Sequence, residues 1–97
     1  MQGYLDELSK IIKMPIDEIY KEYKIIYIGG KVVEILNFIK ILCYSNEQIA
    51  LKVKNNVINI EGSKLNIKEL SKKDIVVSGN INKIYLSKEM IDEENHR

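Results

Sequence analysis

At 97 residues and 11.3 kDa the chain has room for one domain with a single modest core. Hydrophobic residues at 45% and charged residues at 30% exclude a disordered chain. The net charge is +1 and the basic residues are nearly all Lys, with Arg97 the one Arg, so composition gives no case for nucleic acid or an anionic membrane as partner.

The first 23 residues carry helical spacing. Leu5, Leu8, Ile11 and Ile12 share one face, with Asp6 and Glu7 in the first turn where carboxylates suit the helix dipole. Met14 before Pro15 biases the junction away from helix, so this helix is expected to stop near Lys13. Pro15 then opens a second helix, with Asp17 and Glu18 close behind and Ile16, Ile19, Tyr20 and Tyr23 as its apolar stripe. The pair looks like half of a helix-turn-helix. However, acidic residues open its second helix, the wrong sign for approaching phosphates, and a third helix is missing. A helical pair covering an open edge or face of a sheet is the expectation.

From Lys24 the period changes from about 3.6 to 2.0. Four similar segments recur 16 to 17 residues apart: Ile25-Ile26-Tyr27-Ile28-Gly29, Ile41-Leu42-Cys43-Tyr44-Ser45, Ile58-Asn59-Ile60-Glu61-Gly62 and Ile75-Val76-Val77-Ser78-Gly79. Each runs into Gly or Ser, as a half-buried strand entering a turn does. With a looser stretch after each, the pattern predicts about eight short strands: 24–28, 32–36, 39–44, 48–53, 56–61, 65–69, 74–78 and 81–86. Gly29, Gly62 and Gly79 are expected at turns. Connections of two to five residues permit hairpins and not helical crossovers, so neighbours should run antiparallel. The expected fold is mainly β, a small sandwich or β-roll; a short β-solenoid is the alternative that a 17-residue quasi-repeat permits. Ile58 and Ile60 should line the inner face with Leu65 and Ile67, while Asn59 points outward and should tolerate truncation. The expected organisation is a helical segment over 1–23, a β domain over 24–87 and a charged tail over 88–97.

No metal, cofactor or catalytic set is expected, and the chain reads as non-enzymatic. Cys43 lies mid-strand and is expected to be a buried or half-buried thiol; one cysteine leaves no disulfide or thiolate cluster within a chain and suits a reduced, cytoplasmic setting. His96 stands in the tail without a second His or Cys at ligand spacing, and Asp92, Glu93 and Glu94 read as a solvated charge run. Gly29-Gly30 precedes strand-like residues, not a helix, and so reads as a hairpin turn and not a phosphate cradle. Lys31, Glu34 and Lys40 interrupt the most apolar stretch, and at roughly +2.5 to +3.5 kcal/mol each they exclude a membrane span there. The acidic start lacks the basic region of a secretion signal.

From Met14-Pro15-Ile16-Asp17 to Tyr85 the chain resembles the YabP/YqfC family of sporulation proteins of endospore-forming Firmicutes, its YqfC branch most closely. The landmarks are Pro15 and Asp17, the strand into Gly29, Asn37-Phe38, Ile41 through Tyr44-Ser45, and Ile49. Then follow Ile58-x-Ile60-x-Gly62-x-x-Leu65-x-Ile67 and Ile75-x-Val77-x-Gly79-x-Ile81-x-x-Ile84. Leu36 stands where the family usually has Glu, and Lys40 near a usual Gly. The resemblance implies a non-enzymatic protein of the mother cell working with a membrane-embedded, YqfD-like sporulation protein and recruited by it to the membrane. A homo-oligomer, a self-assembling structural protein of the spore and a small DNA-binding regulator are the other readings. Asn37 and Phe38 are the candidate partner contact, an aromatic beside a turn-favouring Asn. Phe38 as a core plug is the competing reading.

Overall fold

The computed structural model describes Glu7, Lys10 and residues 13–88; the first expected helix, the charged tail and His96 fall on or among residues outside these. The second helix, α1 (Ile16–Lys21), is present with Asp17 and Glu18 in its first turn and Lys21 in its last, matching the helix dipole at both ends. Pro15 sits one position before it and accepts the first turn's bonds from Glu18 and Ile19. Ile19 is buried and Tyr23 packs against the core.

Six strands follow: β1 (Lys24–Ile28), β2 (Val32–Leu36), β3 (Lys40–Tyr44), β4 (Gln48–Val53), β5 (Asn56–Leu70) and β6 (Asp74–Ser87). They form one antiparallel sheet in the order β1-β2-β6-β5-β4-β3. The antiparallel hairpins exclude a solenoid, and there are six strands where eight were expected. The last four expected strands fuse in pairs into β5 and β6.

The fusion explains two glycines. Gly62 and Gly79 lie inside the long strands and not at turns, at places where the β5–β6 register shifts. A methyl on Gly62 would overlap the Asn80 carbonyl oxygen, and one on Gly79 would lie 2.6 Å from the Lys64 carbonyl oxygen. Gly79 also has φ +141. Each glycine therefore admits the other strand's backbone at a bulged bend, a role that sequence reads no differently from a turn. Gly29 does make a turn: it and Gly30 take φ +58 and +72, and the Lys31 N–H donates to the Ile28 carbonyl at 3.0 Å.

The bend divides the sheet into two halves that share the β5–β6 hairpin. In one half, β1 and β2 flank the start of β6 and the end of β5; in the other, β3 and β4 flank the start of β5 and the end of β6. The β1–β2 and β3–β4 hairpins are offset by 16 residues, so the sequence repeat is the trace of this twofold-like arrangement. Each hairpin's turn bonds to the bend. Gly79 and Ile81 donate to Lys31 and Gly30, and Gly62 and Leu65 donate to Glu47 and Asn46. At another point the Phe38 N–H donates to Lys73 and the Ile39 N–H to Lys52, tying the halves together through adjacent residues.

One core fills the concave side. Val33 and Ile35 of β2 join Ile49, Leu51 and Val53 of β4, Ile58, Ile60 and Leu65 of β5, and Ile75, Val77 and Ile81 of β6. The two halves of the open sheet pack their inner faces into this one cluster, each buried aliphatic side chain contributing about 1.5–3 kcal/mol. Asn59, expected to face solvent, is 7% exposed. Its Nδ2 donates to Ser87 Oγ at 2.9 Å and to the Tyr85 carbonyl at 3.4 Å, because β6 runs on past the bend and lies beside it.

Candidate docking surface

Asn37 and Phe38 turn out to hold the fold together. Asn37 takes φ +66, a region Asn tolerates, and its Nδ2 donates to the carbonyls of Tyr20 at 2.7 Å and Glu22 at 2.8 Å. It thereby fastens the end of α1 to the β2–β3 connection, beside an exposed Lys54–Glu22 ion pair of little energetic weight. Phe38 is 7% exposed and belongs to the core cluster. The core-plug reading of Phe38 is therefore the one the structure gives, and its ring offers almost no area to a partner.

Most of the exposed large apolar side chains among the described residues lie on or beside the sheet's two outer strands. In β1, Ile25, Ile26, Tyr27 and Ile28 are all exposed, Tyr27 to 51% and Ile28 to 59%. At the opposite edge Ile39, Leu42 and Tyr44 are exposed, with Cys43 beside them. Among the described residues both strands have a hydrogen-bonded neighbour on one side only. Apolar side chains on an unpaired strand edge form the surface that β-augmentation uses. Two further free edges differ. The end of β5 carries Lys68 and Glu69 beside exposed Leu70, and the end of β6 carries Lys83 beside exposed Leu86, a more mixed edge than the runs of β1 and β3.

Cys43 is exposed, contrary to its expected burial, and a β-bulge is the cause. Ile41 pairs with Leu51, but the register then shifts so that Cys43 pairs with Ala50 and Tyr44 with Ile49. Without the shift Cys43 would face Ile49 and the core. The extra residue at Leu42 turns it outward instead.

Two other features sit on the convex side. Glu34, Glu69 and Asp74 line a shallow hollow of about 290 Å³ with Leu70 and Val76. Among the described residues no group of three His, Cys, Asp or Glu side chains is arranged to hold a metal. On the other half, the Tyr85 hydroxyl donates to Glu61 Oε2 at 2.8 Å while Lys83 Nζ sits 4.6 Å from the ring centroid. The Glu61 carboxylate, by accepting that hydrogen bond, raises the Tyr85 phenol above its usual range.

The edges had a signal in the sequence. Ile25-Ile26-Tyr27-Ile28 and Ile41-Leu42-Cys43-Tyr44 are apolar at every position, whereas a strand with one solvated face alternates. Such a run places apolar side chains on both faces of the strand.

A model of the YabP family matches residues 20–93, about three quarters of the chain. The chain belongs to the YabP family. Membership makes it a sporulation-related protein. No curated protein matches it. The family landmarks now have physical content: Ile58, Ile60, Leu65, Ile75, Val77 and Ile81 build the core, and Gly62 and Gly79 permit the central bend. Among the described residues no helix is long and apolar enough to cross a membrane.

Proposed function

We propose that this YabP-family protein is a non-enzymatic adaptor of sporulation that binds a membrane-embedded, YqfD-like companion through its β3 edge. The observation that carries the reading is the exposure of Leu42 and Tyr44 on outer strand β3 and of Ile39 just before it, on an edge with no further hydrogen-bonded strand among the described residues. Exposed apolar area of this kind is costly to leave in water and marks an interaction surface. The contact thus moves a few residues along the chain from Asn37-Phe38, whose side chains are engaged within the fold. The adaptor reading without catalysis is supported by what this surface presents: exposed aliphatic and aromatic side chains, of the kind that pack against an apolar partner segment. Recruitment to the membrane then comes from the companion, since a net charge of +1 offers little attraction to anionic lipid.

Fractionation of sporulating cells with and without the companion gene tests the proposal, with Leu42→Asp as the second arm. The protein should sediment with membranes only when the companion is present, and Leu42→Asp should stay in the soluble fraction with an unchanged melting temperature. Membrane association that persists without the companion overturns the recruitment. Undiminished association of Leu42→Asp overturns the β3 assignment.

A further inference from the structure

We propose that β1 is a self-association edge: Lys24–Ile28 of one copy pairs antiparallel with the same strand of a second copy about a twofold axis at Ile26, joining two six-stranded sheets into one. Three observations lead to a second copy as occupant.

The first is regularity. β1 pairs with β2 at all five positions without a register shift, so its free side presents an unbroken ladder. β3 carries a bulge between Ile41 and Cys43, which twists a strand and interrupts pairing. Of the two apolar edges, only β1 is a regular template.

The second is self-complementarity. Antiparallel pairing about Ile26 sets Ile26 against its copy, Ile25 against Tyr27, and Lys24 against Ile28. No like charges oppose one another, because the single Lys of the strand meets an aliphatic side chain over which its stem can lie. Ile25 and Tyr27 lie opposite the core residues Ile35 and Val33 of β2, so aromatic–aliphatic pairs would prolong the core side of the sheet across the axis. Ile26 lies opposite Glu34 on the convex side. The Tyr27 hydroxyl donates to the Ile81 carbonyl at 3.3 Å, which orients the ring before any partner arrives.

The third is closure. A β1–β1 contact is isologous and stops at two copies, whereas β1 against β3 of another copy would propagate into a filament. Five residues make a small interface, below the roughly 1,200 Å² of stable complexes, so the dimer is weak and concentration-dependent. It leaves β3 free, and does not depend on the companion contact proposed above.

The experiment is sedimentation velocity of the full chain over a range of concentrations, with Ile26→Lys, Ile26→Glu, their equimolar mixture, and Leu42→Lys as the β3 control. Ile26 is exposed in the single chain, so thermal melts should show every variant folded. The native chain and Leu42→Lys should move from monomer to dimer as concentration rises. Each Ile26 variant alone should remain monomeric, since like charges then face each other across the axis, and the mixture should dimerise again. A native chain that stays monomeric throughout overturns the proposal and returns β1 to a different partner. Species growing beyond the dimer, loss of the dimer in folded Leu42→Lys, or a mixture that fails to recover dimers would equally refute a twofold at Ile26.

Discussion

Strand β1 and the start of β5 have nearly the same hydrophobic content and opposite environments. Ile58 and Ile60 of β5 are fully buried, while Ile26 and Ile28 of β1 are exposed to 41% and 59%. β5 has strand neighbours on both sides there, and the core cluster from both halves covers its inner face; β1 is outermost. Identical side chains thus stabilise the fold in one place and lie exposed in the other. Hydrophobicity describes what a residue gains on burial, and only its place in the sheet decides whether the chain itself supplies that burial.

The interior is most sensitive to substitution at the bend. Gly62→Ala should cost roughly 4 kcal/mol or more, because its methyl overlaps backbone of the neighbouring strand, which cannot rotate away. Chemical denaturation that finds a cost under 1 kcal/mol would show that β5 and β6 do not approach as described. Phe38→Ala follows, at about 3 to 5 kcal/mol, and Ile60→Ala at about 2 to 5 kcal/mol, both as core cavities. A melting temperature unmoved by Phe38→Ala would put the ring back on the surface.

Smaller effects sharpen the boundary between interior and edge. Asn59→Ala should cost about 1 to 2 kcal/mol, since it leaves the Ser87 hydroxyl and the Tyr85 carbonyl without their amide donor. Equality with an exposed control such as Ile28→Ser, expected within about 0.5 kcal/mol of the native chain, would show that Asn59 faces solvent after all. The mildest test is titration of Tyr85. Glu61 favours the neutral phenol in the folded chain, so the unfolded chain ionises first as pH rises past the ordinary 10.0. The resulting stabilisation is present below that value and is lost as pH climbs through the raised folded value. Glu61→Gln should bring Tyr85 ionisation, followed by tyrosinate absorbance, back down; an unshifted titration would mean that the Glu61 hydrogen bond does not govern it.

Much of the architecture was legible along the chain. The second helix, the first four strands, the Gly29-Gly30 turn and the turn at Ser45 fall where their residues placed them, because each is decided within a few neighbours. Ser45 Oγ accepts from the Gln48 N–H at 3.0 Å and Ser71 Oγ from Asp74 at 3.1 Å, contacts spanning three residues. The aliphatic positions of the core were legible for the same reason, through their period of two. Family membership was legible as well, since its landmarks are these positions.

What local sequence could not decide was which strands continue and which lie outermost. A glycine that turns the chain and a glycine that lets two backbones cross are written alike, so Gly62 and Gly79 became bulges only when β5 and β6 paired along their length. Cys43 reached solvent through a one-residue shift that reverses every side chain beyond it, a choice made by pairing with β4. Phe38 was drawn inward because the β2–β3 connection bonds to both halves of the sheet at once. Local sequence was enough for a mainly β chain of this family, its first four strands and most of its core-forming residues, because propensity and periodicity act over a few residues. The tertiary structure decided the bend, the edges and the exposed apolar surface, because these depend on hydrogen-bonded partners tens of residues away along the chain.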